Sequence, residues 1–193
     1  MFRVYEQEGM QFTGMDVLDR ALRTDRFLIE GMFTCCLEKM TPVEARHAVA
    51  YAVGYHYIER ITEGKVPVAL LTGFGNVAEV MLLGNPTMML NAGYTERDLG
   101  RGGNPWALIV IQRFAANMVP AMADVLAYDA SAMQLPQYAE CWSLATLLSS
   151  DAKKFSSLAA ALRDGQPALE AIEKIYGLPA DKLHARWKAV ALP

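Results

Sequence analysis

The chain has 193 residues, 53% of them hydrophobic, and a formal net charge of −3. That is enough apolar content for the core of one domain or two small lobes, and too much for a disordered chain. Its 18 basic and 21 acidic residues are interspersed, so no basic stripe awaits a phosphate backbone, and nucleic acid is excluded as an expected partner.

The opening "MFRVYEQEGM" lacks the basic segment and long apolar run of a signal peptide. No stretch approaches the roughly 18 apolar residues of a membrane span. A cytoplasmic protein without direct membrane insertion is expected, or an extracytoplasmic one if a leader has been removed. A short strand is expected over residues 3–7. The next stretch, "MDVLDRALRTDRFLIEGMFTCCLEK", spaces Val17, Leu18, Leu22, Leu28, Ile29 and Phe33 close to the helical period. Residues 1–40 are therefore expected to form an N-terminal helical segment. Cys35 and Cys36 are adjacent and Cys141 lies far downstream, which gives neither a disulfide framework nor metal-ligand spacing, and buried, inert thiols are expected.

Residues 41–90 read as a helix pair. In "TPVE" Thr41 can cap, Pro42 takes the first helical position and Glu44 completes a capping box. That helix should end at Gly64, and Pro67 should open a second one running to "GNP" at 84–86. Residues 91–105, "NAGYTERDLGRGGNP", hold four glycines and read as a loop. A helical C-terminal subdomain follows over 106–193, with helices at about 106–128, broken near Pro120, and at about 137–150, 152–164, 167–176 and 180–191. The fold class expected is mainly α, with little or no β-sheet, folded as one compact unit.

The chemistry-bearing stretch is "AVAYAVGYHYIER" at 48–60. His47, Tyr51 and Tyr55 are four residues apart and share one helix face. Zinc peptidases place two histidines at that spacing, with a glutamate after the first as general base. The run "YAVGYHYIERITEGKVPVALLTGFGNVAEV" resembles the core of the gluzincin zinc peptidases, in which HExxH is followed by a helix carrying a third ligand in a pattern like EGFAxxxE. On that register Tyr51 and Tyr55 stand at the histidine ligands, Ala52 at the general base and Thr72 at the glutamate ligand. The tail from Pro136 to Val190 is similar to the helical C-terminal segment of a gluzincin-like group, through Tyr138, Trp142, Gly165, Gly177 and Trp187. The resemblance implies a zincin-like helical core with a C-terminal helical bundle, and a metal site that has lost its ligands.

The substitutions argue against retained chemistry. A phenol with a pKa of roughly 10 is a poor zinc ligand at neutral pH, threonine is no better, and alanine has no basic atom to generate hydroxide. Tyr51 and Tyr55 are expected to plug the former site with buried rings and hydrogen-bonded hydroxyls. Four other residues are candidates for lining the old cleft: His47 as a cap or surface residue, His56 without a partner at ligand spacing, Asn76 with a local hydrogen bond, and Glu79 paired with a nearby Arg or Lys.

Weaker signals are set aside. "GFGN" and "GRGGNP" follow no convincing strand, so phosphate cradling is not expected. Ser131, Ser143, Ser149 and Ser150 lack a nucleophile elbow, and the Met-rich "MLLGNPTMML" reads as core rather than as an adaptable groove. The resemblance implies a catalytically inactive, metallopeptidase-like protein without metal or cofactor. It would work through a protein or peptide partner, as a homo-oligomer or as a subunit of a larger assembly. The alternative is a hydrolase, or a metal- or heme-binding protein, with a non-standard site using His47, His56 or Glu79.

Overall fold

A computed structural model describes residues 4–5, 26–29, 33–36, 42–84, 105–129 and 132–192, with backbone only for the three strands and for residues 42–45 and 105. The described chain is mainly helical, with ten residues in a small sheet. Its elements are β1 (Val4–Tyr5), β2 (Arg26–Ile29), β3 (Phe33–Cys36), α1 (Pro42–Ile61), α2 (Val68–Leu83), α3 (Pro105–Ala115), α4 (Met122–Leu126), α5 (Leu135–Ser149), α6 (Ala152–Arg163), α7 (Ala168–Tyr176) and α8 (Ala180–Ala191).

The strands correct one expectation. Residues 26–29 and 33–36, read as helical, pair antiparallel from Arg26↔Cys36 to Ile29↔Phe33, and β1 adds to the other edge through Val4↔Ile29. Phe27, Leu28 and Ile29, then Phe33 and Thr34, are apolar, aromatic or β-branched, and such short runs satisfy either period until a partner strand is present. Only three residues, including Gly31, separate β2 from β3, a length suited to a hairpin. Within the expected strand at 3–7, Val4–Tyr5 is a strand, and residues 3, 6 and 7 lie outside the described residues. The earlier part of the expected N-terminal helix, the capping side chains of Thr41 and Glu44, and the glycine-rich loop up to Asn104 lie outside the described residues.

The helix pair forms where the punctuation residues place it. α1 starts at Pro42 and ends in a turn where Glu63 and Gly64 take positive φ values of 53° and 73°, with the Gly64 amide donating to the Glu59 carbonyl at 2.8 Å. Pro67 caps α2 with an extended backbone, and Gly84 closes it at φ 84°, its amide donating to the Val80 carbonyl. Six residues join the helices, so they pack antiparallel, and contacts fall in α1 as they rise in α2: Gly54 meets Phe74 and Ala78, Tyr51 meets Gly75, and His47 meets Glu79.

Glycines set the helix spacing. A Cβ at Gly54 would lie 2.4 Å from the Phe74 carbonyl oxygen, and one at Gly73 would lie 2.3 Å from the Cys141 carbonyl oxygen of α5. α2 therefore packs backbone to backbone on α1 at one face and on α5 at another, closer than any side chain permits.

The remaining helices enclose an apolar core that includes Leu70, Phe114, Met122, Leu144, Leu148, Leu158, Ile172 and Leu183. Trp187 of α8 is buried edge-on against Phe114 of α3, ring centroids 5.1 Å apart, and its indole N–H donates to Ser143 Oγ at 2.9 Å. Caps set these helices locally. The Gln134 amide donates to Gln137 Oε1 at 2.7 Å ahead of α5, and Asp151 Oδ1 accepts from the Lys153 and Lys154 amides at the start of α6. The break expected near Pro120 is observed between Ala115 and Met122. Among the described residues, no helix is long and apolar enough to cross a membrane.

Candidate functional site

The stripe His47, Tyr51, Tyr55 of α1 runs along the α1–α2 seam, and each residue meets a different neighbour. Tyr51 lays its ring on Gly75, where a Cβ would come within 2.7 Å of Cε2, so only glycine leaves room for the phenol. Its hydroxyl is engaged by the Thr72 side chain. Burial pushes the Tyr51 pKa above the ordinary phenol value, the Thr72 hydrogen bond pulls back in part, and Tyr55, Tyr138 and Glu79 add smaller upward contributions. The group is a neutral phenol at physiological pH, not a tyrosinate.

Tyr55 stands one turn on, its ring 6.0 Å from that of Tyr51 and edge-on to His56 at 5.3 Å. Burial raises its pKa too, with the Glu59 charge second. Ala52 is fully buried and offers only a methyl group. The positions assigned by the resemblance to one histidine ligand and to the glutamate ligand thus touch each other directly as Tyr51 and Thr72, with Tyr55 beside them.

His47 departs from the sequence reading. It is neither a cap nor a surface group: it is 5% exposed, and its Nδ1 lies 2.8 Å from Glu79 Oε1. Glu79, at 0% exposure, takes this histidine as a partner. The reason is register, since the two residues lie on facing stripes of antiparallel helices, one and two turns from the Tyr51–Thr72 contact. A buried carboxylate needs such a partner.

Asn76 departs as well. It is fully buried, and neither Oδ1 nor Nδ2 has a hydrogen-bond partner among the described residues, where a local bond was expected. Backbone carbonyls within reach on α2 are already committed to the helix, and the cross-helix partners on either side are taken by Thr72 and Glu79.

His56 is separate from this group. It lies nine positions from His47, about two and a half turns, and so on the opposite side of α1; its Nδ1 meets Glu59 Oε2 at 2.7 Å. A site uniting His47, His56 and Glu79 is therefore not assembled. Among the described residues, no three His, Cys, Asp or Glu side chains group closely enough to hold a metal ion.

One polar cluster went unread in the sequence. Glu140 of α5, fully buried, accepts from Arg113 Nε at 2.5 Å and from the Tyr128 hydroxyl at 2.5 Å, while Arg113 Nη2 donates to the Met118 carbonyl. This ties α3, the segment after α4 and α5 together. A signal was present: Glu140 falls one turn before Leu144, on the apolar face of its helix. Cys141 beside it is buried and unpaired, its thiol pushed up to about 12 chiefly by burial and then by Glu140, which makes it inert. Of the Met-rich run, Met81 and Leu82 are 80% and 49% exposed rather than core, because both point away from the α1 and α5 faces of α2; residues after 84 lie outside the described set.

No protein-family model, curated protein or solved structure matches this chain.

Proposed function

We propose that the chain is a metallopeptidase-like pseudoenzyme that acts by binding a protein or peptide. The observation that carries this reading is the Tyr51–Thr72 contact: two positions that the gluzincin resemblance assigns to metal ligands come together from two helices and are closed by a neutral phenol and a hydroxyl. Ala52, at the general-base position, adds no group able to activate water. What remains is a helical framework whose central seam is packed instead of open, a framework suited to recognition rather than to turnover.

The second reading, a hydrolase or metal protein with a non-standard site, draws support from the buried His47–Glu79 pair, since a carboxylate on Nδ1 orients an imidazole for ligation or base catalysis. Metal analysis separates the two. The purified parent chain is expected to hold no stoichiometric zinc, and a variant carrying Tyr51→His, Tyr55→His and Thr72→Glu is expected to acquire it. Stoichiometric zinc in the parent that disappears on Glu79→Gln would overturn the pseudoenzyme reading. A folded triple variant that takes up no zinc would remove the gluzincin register on which it stands.

A further inference from the structure

α2 presents three polar residues on one face, Thr72, Asn76 and Glu79, spaced four and then three positions apart. The outer two are matched from α1, Thr72 by the Tyr51 phenol and Glu79 by His47 Nδ1 at 2.8 Å. Asn76, between them, is 0% exposed and has no hydrogen-bond partner on either Oδ1 or Nδ2 among the described residues. A primary amide brings two donor hydrogens and an acceptor oxygen. Burying it unmatched is worse for stability than burying leucine of similar size. The contacts on both sides fix the register of the two helices, so the amide has no route to solvent through a small shift.

We infer that the α1–α2 seam holds a ligand position at Asn76, occupied by a small uncharged group that offers a hydrogen-bond donor and an acceptor side by side, the chemistry shared by water and by a carboxamide. Charge and count select this class. An anion at Asn76 would face the Glu79 carboxylate one turn away, and a bare cation would serve Oδ1 while leaving both Nδ2 hydrogens unmet. Buried polar positions of this kind hold ordered water with two to four hydrogen bonds, and a carboxamide meets the same two atoms with a paired N–H···O arrangement. The inference does not rest on the metallopeptidase reading: it uses only burial, register and hydrogen-bond count.

The test is side-chain amide NMR on the full chain, with the Asn76 resonance identified by its loss in Asn76→Leu. Cross-relaxation between the Asn76 Nδ2 protons and water establishes the position with water as occupant. A saturable shift of those resonances on titration with acetamide, absent from the amide of exposed Gln112, establishes it with a carboxamide. Absence of both effects overturns the proposal. Melting temperature gives a second reading: Asn76→Leu is expected to melt below the parent, because it discards an occupied polar position, and a variant that melts above the parent would mean that the amide was unmatched.

Discussion

The α1–α2 seam and the α5–α8 bundle are both helical and both buried, yet they are held together by different means. In the seam, glycines let backbones approach, and the cross-helix contacts are polar: Tyr51 with Thr72, and His47 with Glu79. In the bundle, large side chains fill the space between helices, with Trp187, Leu144, Leu148, Leu158, Ile172 and Leu183 fully buried. Polar groups there act mainly as caps, as Asp151 and Gln134 do. The difference teaches that the two regions should respond oppositely to volume. The bundle should be sensitive to side chains removed, and the seam to atoms added.

The largest effect expected is in the bundle. Trp187→Ala removes an indole packed against Phe114 and orphans Ser143 Oγ, and should cost about 4 kcal/mol in chemical denaturation; a loss below about 1 kcal/mol would mean that α8 is not part of the core. Next come two glycines compared. Gly54→Ala drives a Cβ to 2.4 Å from the Phe74 carbonyl oxygen and should cost about 3 kcal/mol. Gly165→Ala meets open space and only the strain of φ 84°, so it should cost about 1 kcal/mol. Equal costs at the two sites would break the contrast between a seam set by backbone approach and a bundle set by side-chain volume.

The smallest effect expected is pH-dependent. His184 of α8 lies beside the Phe114 and Trp187 rings, and burial, followed by Lys188, lowers its pKa from the ordinary 6.5. The unfolded chain then binds the proton more readily than the folded one. Its contribution to stability is full above pH 6.5 and is lost as pH falls from there through the folded value. Melting temperature should therefore drop on acidification from pH about 7.5 to about 5, and less steeply in His184→Asn. An unchanged slope would show that His184 is as solvated as in the unfolded chain.

Much of the helical layout was legible because it is written in local chemistry. Pro67, Gly64, Gly84 and Gly177 sit at helix boundaries for reasons that involve only their own backbone. The last three expected helices match α6, α7 and α8 within a residue or so. β2 and β3 were not legible, since Phe27–Ile29 and Phe33–Cys36 are strands by virtue of each other. Nor was the Glu140–Arg113–Tyr128 cluster, whose members lie on separate elements and share no spacing in the sequence.

The candidate site divides along the same line. The sequence by itself determined that two phenols, a methyl group and a hydroxyl stand at Tyr51, Tyr55, Ala52 and Thr72, because that chemistry belongs to side-chain type. It also placed His47, Tyr51 and Tyr55 on one face, because helical period is local. Only the tertiary structure decided that Tyr51 reaches Thr72, that His47 meets Glu79, and that Asn76 is left between them without a partner among the described residues. Those outcomes depend on how far and in what register α1 slides along α2. That is fixed by Gly54 and Gly75 allowing close approach, a property of two packed surfaces that no single stretch of sequence contains.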